Sequence, residues 1–240
     1  PREEVLDELR RVVATAGAGP IDAVLAAEPG DPSKVIVDHA VVIPADLVVM
    51  GTHGRGGFER LIVGSVAEKV LRRAPCPVLT VPPHATATQP AQVQFKKILC
   101  AVDFSPSALQ AFGFALDLAR QAGGSITVLH IIEWLTEEDP RSHPHFKVSE
   151  FREHLADDAR EKLHALVAEE PQTWTTIQEV VVFGRAHREV LRVAAESQAD
   201  LIVMGAQGRG GLGLTLFGST TEQIVRGASC PVLTVRAPAA

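Results

Sequence analysis

The chain has 240 residues, which is about one and a half domains at roughly 150 residues each, and its formal net charge is −6. With 46% hydrophobic and 22% charged residues, it is neither disordered, collagen-like nor a disulfide scaffold. Because acidic residues outnumber basic ones, the chain lacks the positive charge that nucleic-acid binding needs. No run of apolar residues approaches the roughly 18 that a membrane-spanning helix requires. Three cysteines and no visible secretory signal predict a cytoplasmic protein with reduced thiols.

An internal repeat organises the sequence. The segment DLVVMGTHGRGG at 46–57 recurs as DLIVMGAQGRGG at 200–211, an offset of 154 residues. Between 46–81 and 200–235, 20 of 36 positions are identical without a gap. Because such identity at one fixed offset is far beyond chance, the chain contains a duplicated unit.

The second repeat, 95–236, alternates apolar strands with helices. Residues 82–94, rich in proline and small side chains, predict a linker that precedes it. The predicted strands are 97–103, 125–132, 177–183, 200–204 and 232–235, and the predicted helices are 105–121, 149–169, 186–197 and one that begins at Ser219. Near-continuous Val, Ile and Leu strands between helices predict an α/β fold, with an open, doubly wound parallel sheet covered on both faces.

The first repeat, 1–81, is N-terminally incomplete. Its opening helix, 2–16, matches the helix at 149–169, and nothing corresponds to 95–148. It therefore lacks the counterparts of two strands and one helix, which predicts unpaired strand edges. Two explanations are open: about 50 further N-terminal residues in the native protein, which we favour, or strands supplied by another chain.

Both repeats carry glycines at one spacing. Each copy reads Gly-x2-Gly-x9-Gly-Ser, with the first Gly after a buried strand and the Gly-Ser at the start of the next helix: Gly51, Gly54, Gly64 and Ser65, then Gly205, Gly208, Gly218 and Ser219. Ligands of open α/β sheets bind beyond the carboxyl ends of the strands, where a helix N-terminus suits a phosphate. The pattern predicts a nucleotide whose phosphates rest on Gly218, Ser219 and Thr220.

A simpler explanation covers part of this pattern. Ser65 with Glu68, and Ser219 with Glu222, match the S-x-x-E capping box, which requires no ligand. The capping box leaves the upstream glycines unexplained, so phosphate binding is favoured. Helix capping and phosphate binding can coexist at the same helix start. The G-x-G-x-x-G match at 208–213 follows the wrong strand for a dinucleotide site, and the chain has no P-loop motif.

Other polar residues allow two interpretations each. Asp103 ends a strand at the same sheet edge, so we expect it to contact a ligand rather than only to cap the following helix. His143 and His145 are expected to be solvated histidines rather than metal ligands. Arg209, like Arg55 in the first repeat, could equally reach a phosphate or lie in solvent. The sequence contains no nucleophile–base pair or other catalytic constellation, so no catalytic residue and no metal site is predicted.

Together, the ILCAVDFS strand, DLIVMG, the glycine loop and the CPVLTV strand resemble the universal stress protein family in its tandem form. The resemblance implies a five-stranded parallel sheet in each complete unit and an adenine nucleotide at the strand ends. It implies that Asp103 contacts the adenosine and that Val128 and His130 border the pocket. It further implies that Met204 and Gly205 line the base, while Gly208, Gly218, Ser219 and Thr220 hold the phosphates. In the first repeat Gly51, Gly54, Gly64 and Ser65 match, without an acidic partner.

The resemblance also implies a function and partners. We expect a stress-response protein that binds ATP, ADP or AMP with accompanying Mg²⁺, in a regulatory role with at most weak hydrolysis. An ATP-consuming enzyme (an ATPase or phosphotransferase) and a nucleotide-free dimerising scaffold are the alternatives. The terminal strands 78–81 and 232–235 are expected to pair the repeats as an intrachain pseudo-dimer, with a homodimer also possible; neither nucleic acid nor membrane is expected as a partner.

Overall fold

The computed structural model describes residues 2–15, 22–52, 64–83, 94–133, 148–169, 175–208 and 218–237. Helices and strands alternate along these ranges. The helices are α1 (Arg2–Thr15), α2 (Pro32–Val42), α3 (Ser65–Arg73), α4 (Pro106–Ala122), α5 (Val148–Ala168), α6 (Ala186–Glu196) and α7 (Ser219–Gly227). The strands are β1 (Val48–Gly51), β2 (Val78–Val81), β3 (Lys97–Ala101), β4 (Ser125–Ile132), β5 (Thr176–Phe183), β6 (Leu201–Gly205) and β7 (Val232–Val235).

The strands form a single sheet in the order β1-β2-β7-β6-β3-β4-β5. Five neighbouring strands come from the second repeat and are parallel throughout, as the sequence predicts. The first repeat adds β1 and β2, which are parallel to each other. The repeats meet where β2 pairs with β7 in antiparallel fashion, with Val78 opposite Thr234 and Leu79 opposite Leu233.

The first repeat holds fewer strands than its sequence predicts. Three of the five should remain, but the described residues form only β1 and β2. The missing one is 22–29, which lies 154 residues before β5 but is not paired in a sheet, and its Val24 is 93% exposed. The reason lies in the pairing: β5 is held in the sheet by β4 alone, and the first repeat has no counterpart of β4.

The hydrophobic core lies on both faces of the sheet. One face packs against α6 and α7, with Ile224 buried, and this core continues into the first repeat at Val70 and Leu71. The opposite face packs against α4 and α5, with Ala111 and Leu163 fully buried. Helices therefore cover both faces of the five-stranded part, which has the doubly wound architecture that the sequence predicts.

Candidate functional site

The topological switch point of the sheet lies between β3 and β6. From β3 the chain crosses to β4 on one side, and after β5 it returns to place β6 on the other side of β3. In open α/β sheets, this reversal of direction leaves a crevice beyond the carboxyl ends of the two strands. Asp103 follows β3 and Gly205 ends β6, so both lie at the mouth of that crevice.

Asp103 lies next to the glycine loop. Its Oδ1 accepts hydrogen bonds from the backbone N–H of Ser105 at 3.0 Å and from the Ser105 hydroxyl at 2.6 Å. A Cβ atom placed on Gly208 would lie only 2.8 Å from Asp103 Oδ2. The two interpretations of Asp103 are therefore compatible, because Oδ1 supports the start of α4 while Oδ2 lies beside the loop.

The start of α4 also holds the loop after β6 in place. Ser105 is the N-cap of α4 and accepts a hydrogen bond from Ala108 N. The Ser107 hydroxyl donates to the backbone oxygen of Gln207, and Ser105 Oγ lies 3.2 Å from the same oxygen. A Cβ on Gly205 would lie 2.6 Å from Ser107 Oγ and 2.8 Å from Ala108 N. This position requires glycine because the strand packs directly against the helix.

Gly218 has a different environment. It is the N-cap of α7, its backbone oxygen accepts a hydrogen bond from Glu222 N at 3.1 Å, and its φ of −63° is open to any residue. Among the described residues, a Cβ there would meet nothing closer than Thr221 Oγ1 at 3.6 Å, an ordinary contact. These residues therefore give no steric reason for glycine at the start of this helix.

The capping-box explanation is wrong for both repeats. It requires Ser65 and Ser219 to be the N-cap residues, but both are the first residue inside their helix. The caps are Gly64 and Gly218, and neither helix has a side-chain cap hydrogen bond. The first N–H groups of α7 consequently point out of the helix end without a capping side chain, the arrangement that binds anions in other proteins.

A cavity of about 650 Å³ opens at this end of the sheet, within the range of small-molecule sites. It collects most of the predicted residues from four different segments of the second repeat. Those that line it are Asp103, His130, Met204, Gly205, Gly208, Gly218, Ser219 and Thr220.

His130 is held in a defined orientation at the cavity wall. Its Nδ1 lies 2.7 Å from the backbone oxygen of Val102. Because a carbonyl oxygen only accepts, Nδ1 carries the proton and donates it. The imidazole ring also packs against Phe104, with 4.8 Å between the ring centroids. An aromatic surface therefore lies near Asp103, on the side of the cavity away from α7.

Three predicted residues are not found at the cavity wall: one is placed elsewhere, and two lie outside the described residues. Val128 lies in the core rather than at the cavity wall, because it is one pleat deeper in β4 than His130 and is fully buried with Ile126 under α4 and α5. Gly54 and Arg209 lie outside the described residues, as do Arg55, His143 and His145 and most of the predicted linker, 82–94.

Sequence reasoning missed the wall formed by α5. Leu155, Asp158, Ala159 and Lys162 line the cavity, and Lys162 Nζ donates to Asp158 Oδ2 at 2.6 Å. Their i, i+3, i+4, i+7 spacing shows that they share a helix face. Nothing in that spacing indicates which face of α5 turns toward the sheet edge. The sequence therefore shows that these residues share a face, but it does not assign that face to the cavity.

The first repeat contains half of the same arrangement. Gly51 ends β1, the Thr52 N–H donates to Val81 O at 3.1 Å, and the Gly64 N–H donates to Thr52 O at 2.9 Å. Ser65 then opens α3. The second repeat completes its site with Asp103 from β3, whereas the described residues of the first repeat place no strand in that position.

Within the described residues, there is neither a cluster of metal ligands nor a membrane-spanning helix. No group of three or more His, Cys, Asp or Glu side chains within them comes together as metal ligands would. Likewise, none of the helices in these ranges combines the length and apolar character needed to cross a bilayer.

Comparison with known proteins identifies the family. The sequence profile of the universal stress protein family matches residues 1–82 and 94–236. The chain belongs to the universal stress protein family. A universal stress protein of Mycobacterium tuberculosis is 30% identical over 192 residues, which cover 80% of this chain and 62% of that relative. The chain thus spans about three fifths of the length of such relatives.

Solved structures agree with this assignment. A universal stress protein from Archaeoglobus fulgidus superposes with a TM-score of 0.67 at 26% identity, covering 98% of this chain and 77% of the other. The hypothetical protein MJ0577 aligns with a TM-score of 0.54 at 28% identity, covering 62% of this chain and all of its own. The shorter alignment corresponds to about one repeat, and the longer one extends over both.

Proposed function

We propose that the second repeat of this universal stress protein binds an adenine nucleotide, with ATP as the ligand. The observation that carries the proposal is Gly218, which lacks a side chain although the described residues leave room for one. A glycine whose Cβ would be excluded by none of the described residues is consistent with a ligand that approaches the backbone at that point. The family resemblance, rather than the geometry, supplies the choice of adenine.

The cavity offers a suitable group for each part of ATP. The first N–H groups of α7, at Ser219 and Thr220, face the position of the phosphates and add the positive end of the helix dipole. The carboxylate of Asp103 is suited to accept hydrogen bonds from ribose hydroxyls. Met204, which is mostly apolar, lies on the side proposed for the base. Mg²⁺ would arrive with the phosphates, which commonly supply much of its coordination.

We infer a regulatory binding role with at most weak hydrolysis, in the cytoplasm. Asp103 is the acidic residue that the sequence places near the phosphates, and its Oδ1 is already engaged by Ser105. If the protein were instead an ATP-consuming enzyme using this carboxylate, Asp103→Ala would abolish turnover. We expect any residual ATPase rate to be similar in Asp103→Asn and in the wild type.

The two repeats are proposed to act as an intrachain pseudo-dimer. The support is the antiparallel pairing of β2 with β7, which places Thr80 opposite Val232 and joins residues 1–81 to 95–236 in one sheet. Because Asp103 and the other predicted residues that line the cavity belong to the second repeat, we propose that the second repeat binds one nucleotide.

Calorimetry and mass spectrometry test the proposal together. The purified chain is expected to bind MgATP with one equivalent per chain, and denaturation should release any adenine nucleotide retained through purification. Gly218→Val should abolish binding, because its branched side chain would block the phosphates. Gly113→Ala, at an exposed position in α4 where a Cβ meets nothing, is the matched control and should bind normally. A wild-type chain that neither carries nor binds adenine nucleotide would leave the scaffold role as the better description.

A further inference from the structure

The cavity at the switch point is bounded by helices from both faces of the sheet. Ile224 of α7 lines it from the face that carries α6 and α7, whereas Ala108 of α4 and Ala159 of α5 line it from the opposite face. The start of α7, where the phosphates are proposed to bind, therefore lies across the sheet edge from α5. Side chains of α5 that reach this edge border the same space as Ser219 and Thr220.

The charged side chains on the cavity wall are mostly acidic. Among the described residues that line it, the carboxylates are those of Asp103, Glu133 and Asp158, whereas Lys162 of α5 carries the single cationic side chain. A nucleoside triphosphate is itself strongly anionic, so these carboxylates repel it. Lys162 is therefore the side chain of this described wall that attracts a triphosphate by its charge.

The present partner of Lys162 is a weak one. Its Nζ donates to Asp158 Oδ2 at 2.6 Å, one helical turn earlier, and the two side chains are 54% and 49% exposed. Exposed i, i+4 ion pairs contribute little to stability because water screens the charges, so a stronger anion can replace Asp158. Lysine is suited to such an exchange because it carries a compact charge on a flexible stem, and it is a common ligand of phosphate.

We propose that Lys162 leaves Asp158 when ATP binds and pairs with the terminal phosphates, across the cavity from α7. This role rests on the proposed nucleotide binding in the second repeat, and it adds the residue by which that site distinguishes a triphosphate from a monophosphate. The single phosphate of AMP is served by the N–H groups at the start of α7. ATP carries two further phosphates, whose negative charge Lys162 neutralises, while Asp158 competes with the nucleotide for the same ammonium group.

Calorimetry with MgATP and with AMP tests this role. Lys162→Met keeps most of the side chain and removes the charge, so it should weaken ATP binding at least about tenfold, as expected for a lost charged hydrogen bond, and AMP binding by less than about twofold. Asp158→Asn removes the competing carboxylate, so this variant should bind ATP as tightly as the wild type or more tightly. If the ion pair mattered only for the stability of α5, the two variants would behave alike because each one breaks it.

Arg160→Met is the matched control. Arg160 is exposed on the same helix and pairs with Asp157 at 2.6 Å, but it does not line this cavity. Removing its charge should therefore leave the affinities for ATP and AMP unchanged. ATP binding that Lys162→Met does not weaken, or that it weakens no more than AMP binding, overturns the proposal. An Asp158→Asn variant that loses ATP affinity as Lys162→Met does also overturns it.

Failure of this role is distinguishable from failure of nucleotide binding itself. A wild-type chain that binds neither ATP nor AMP overturns both proposals, whereas wild-type ATP binding that persists unchanged in Lys162→Met overturns this one alone. The three substituted side chains are exposed, so urea unfolding of the variants should closely match that of the wild type. A change in ATP affinity can then be assigned to the cavity rather than to loss of the fold.

Discussion

At Gly205, the strand packs so closely on the start of α4 that a side chain does not fit. A Cβ would lie 2.6 Å from Ser107 Oγ. Gly205→Ala is therefore expected to lower the free energy of unfolding by about 1–3 kcal/mol, the usual cost of overpacking. Gly218→Ala, where the nearest contact among the described residues is 3.6 Å, should lower it by only about 0.5–1 kcal/mol, because alanine is a poorer N-cap than glycine.

Two measurements distinguish the roles of these glycines: urea unfolding in the absence of nucleotide, and ATP calorimetry. Gly218→Ala should keep most of its stability and lose ATP affinity, whereas Gly205→Ala should lose stability first. A Gly218→Ala variant that unfolds as easily as Gly205→Ala would mean that the fold, rather than a ligand, requires glycine there.

The buried thiol of Cys100 predicts a loss of stability at alkaline pH. Burial raises the pKa of Cys100 from 9.0 to about 12, so the folded state retains this proton after the unfolded chain has released it. Below pH 9 the thiol is protonated in both states, so its contribution to the free energy of unfolding is constant. As the pH rises above 9, that free energy falls by up to about 1.4 kcal/mol per pH unit until the pKa of the folded state is reached. Urea unfolding between pH 8 and 11 should show a shallower decline for Cys100→Ala than for the wild type; equal slopes would contradict this origin.

Among the elements, α4 has both ends defined by local chemistry. Ser105 caps its N-terminus, Pro106 occupies the first helical position, and Gly123 ends it in the left-handed conformation with a φ of 58°. Ser105 and Pro106 are local signals, so the sequence alone predicts where α4 begins. The same start supports Asp103 and Gln207, so the helix that forms most predictably also orders the site.

The middle of α4 offers a stabilising substitution. Gly113 is exposed, and a Cβ there meets nothing within 4 Å. Gly113→Ala should raise the free energy of unfolding by about 0.5–1 kcal/mol, because alanine loses less backbone entropy in a helix. Thermal and urea unfolding measure the gain. No change, or a loss, would show that this turn of the helix is distorted or engaged in a contact.

For the whole molecule, the junction between the repeats is the decisive contact. The Thr80 hydroxyl donates to Val232 O and the Thr234 hydroxyl to Val78 O, each at 3.2 Å, and both side chains are buried. Replacing both by valine keeps their shape and removes two hydrogen bonds. The double variant should be less stable by about 1–3 kcal/mol.

Hydrogen exchange should localise that loss. We expect the backbone N–H groups of β2 and β7 to lose protection, while those of β3 and β4 keep theirs. Thr127→Val, at a half-buried position of β4 away from the junction, serves as the control. A uniform loss across the sheet would mean that the junction does not open separately from the rest.

The sequence by itself determined the repeat, all five strands of the second repeat and the glycine loops, because these depend on local patterns and on a fixed offset. Only the tertiary structure decided three further points. Residues 22–29 are not a strand because their pairing partner is absent, and Ser219 is not a cap because the helix begins one residue earlier than the motif suggests. The cavity also gains a wall from α5. The strand and the wall depend on what lies across the sheet or the cavity, which local spacing does not specify, and the start of α7 depends on which backbone oxygen accepts its first hydrogen bond.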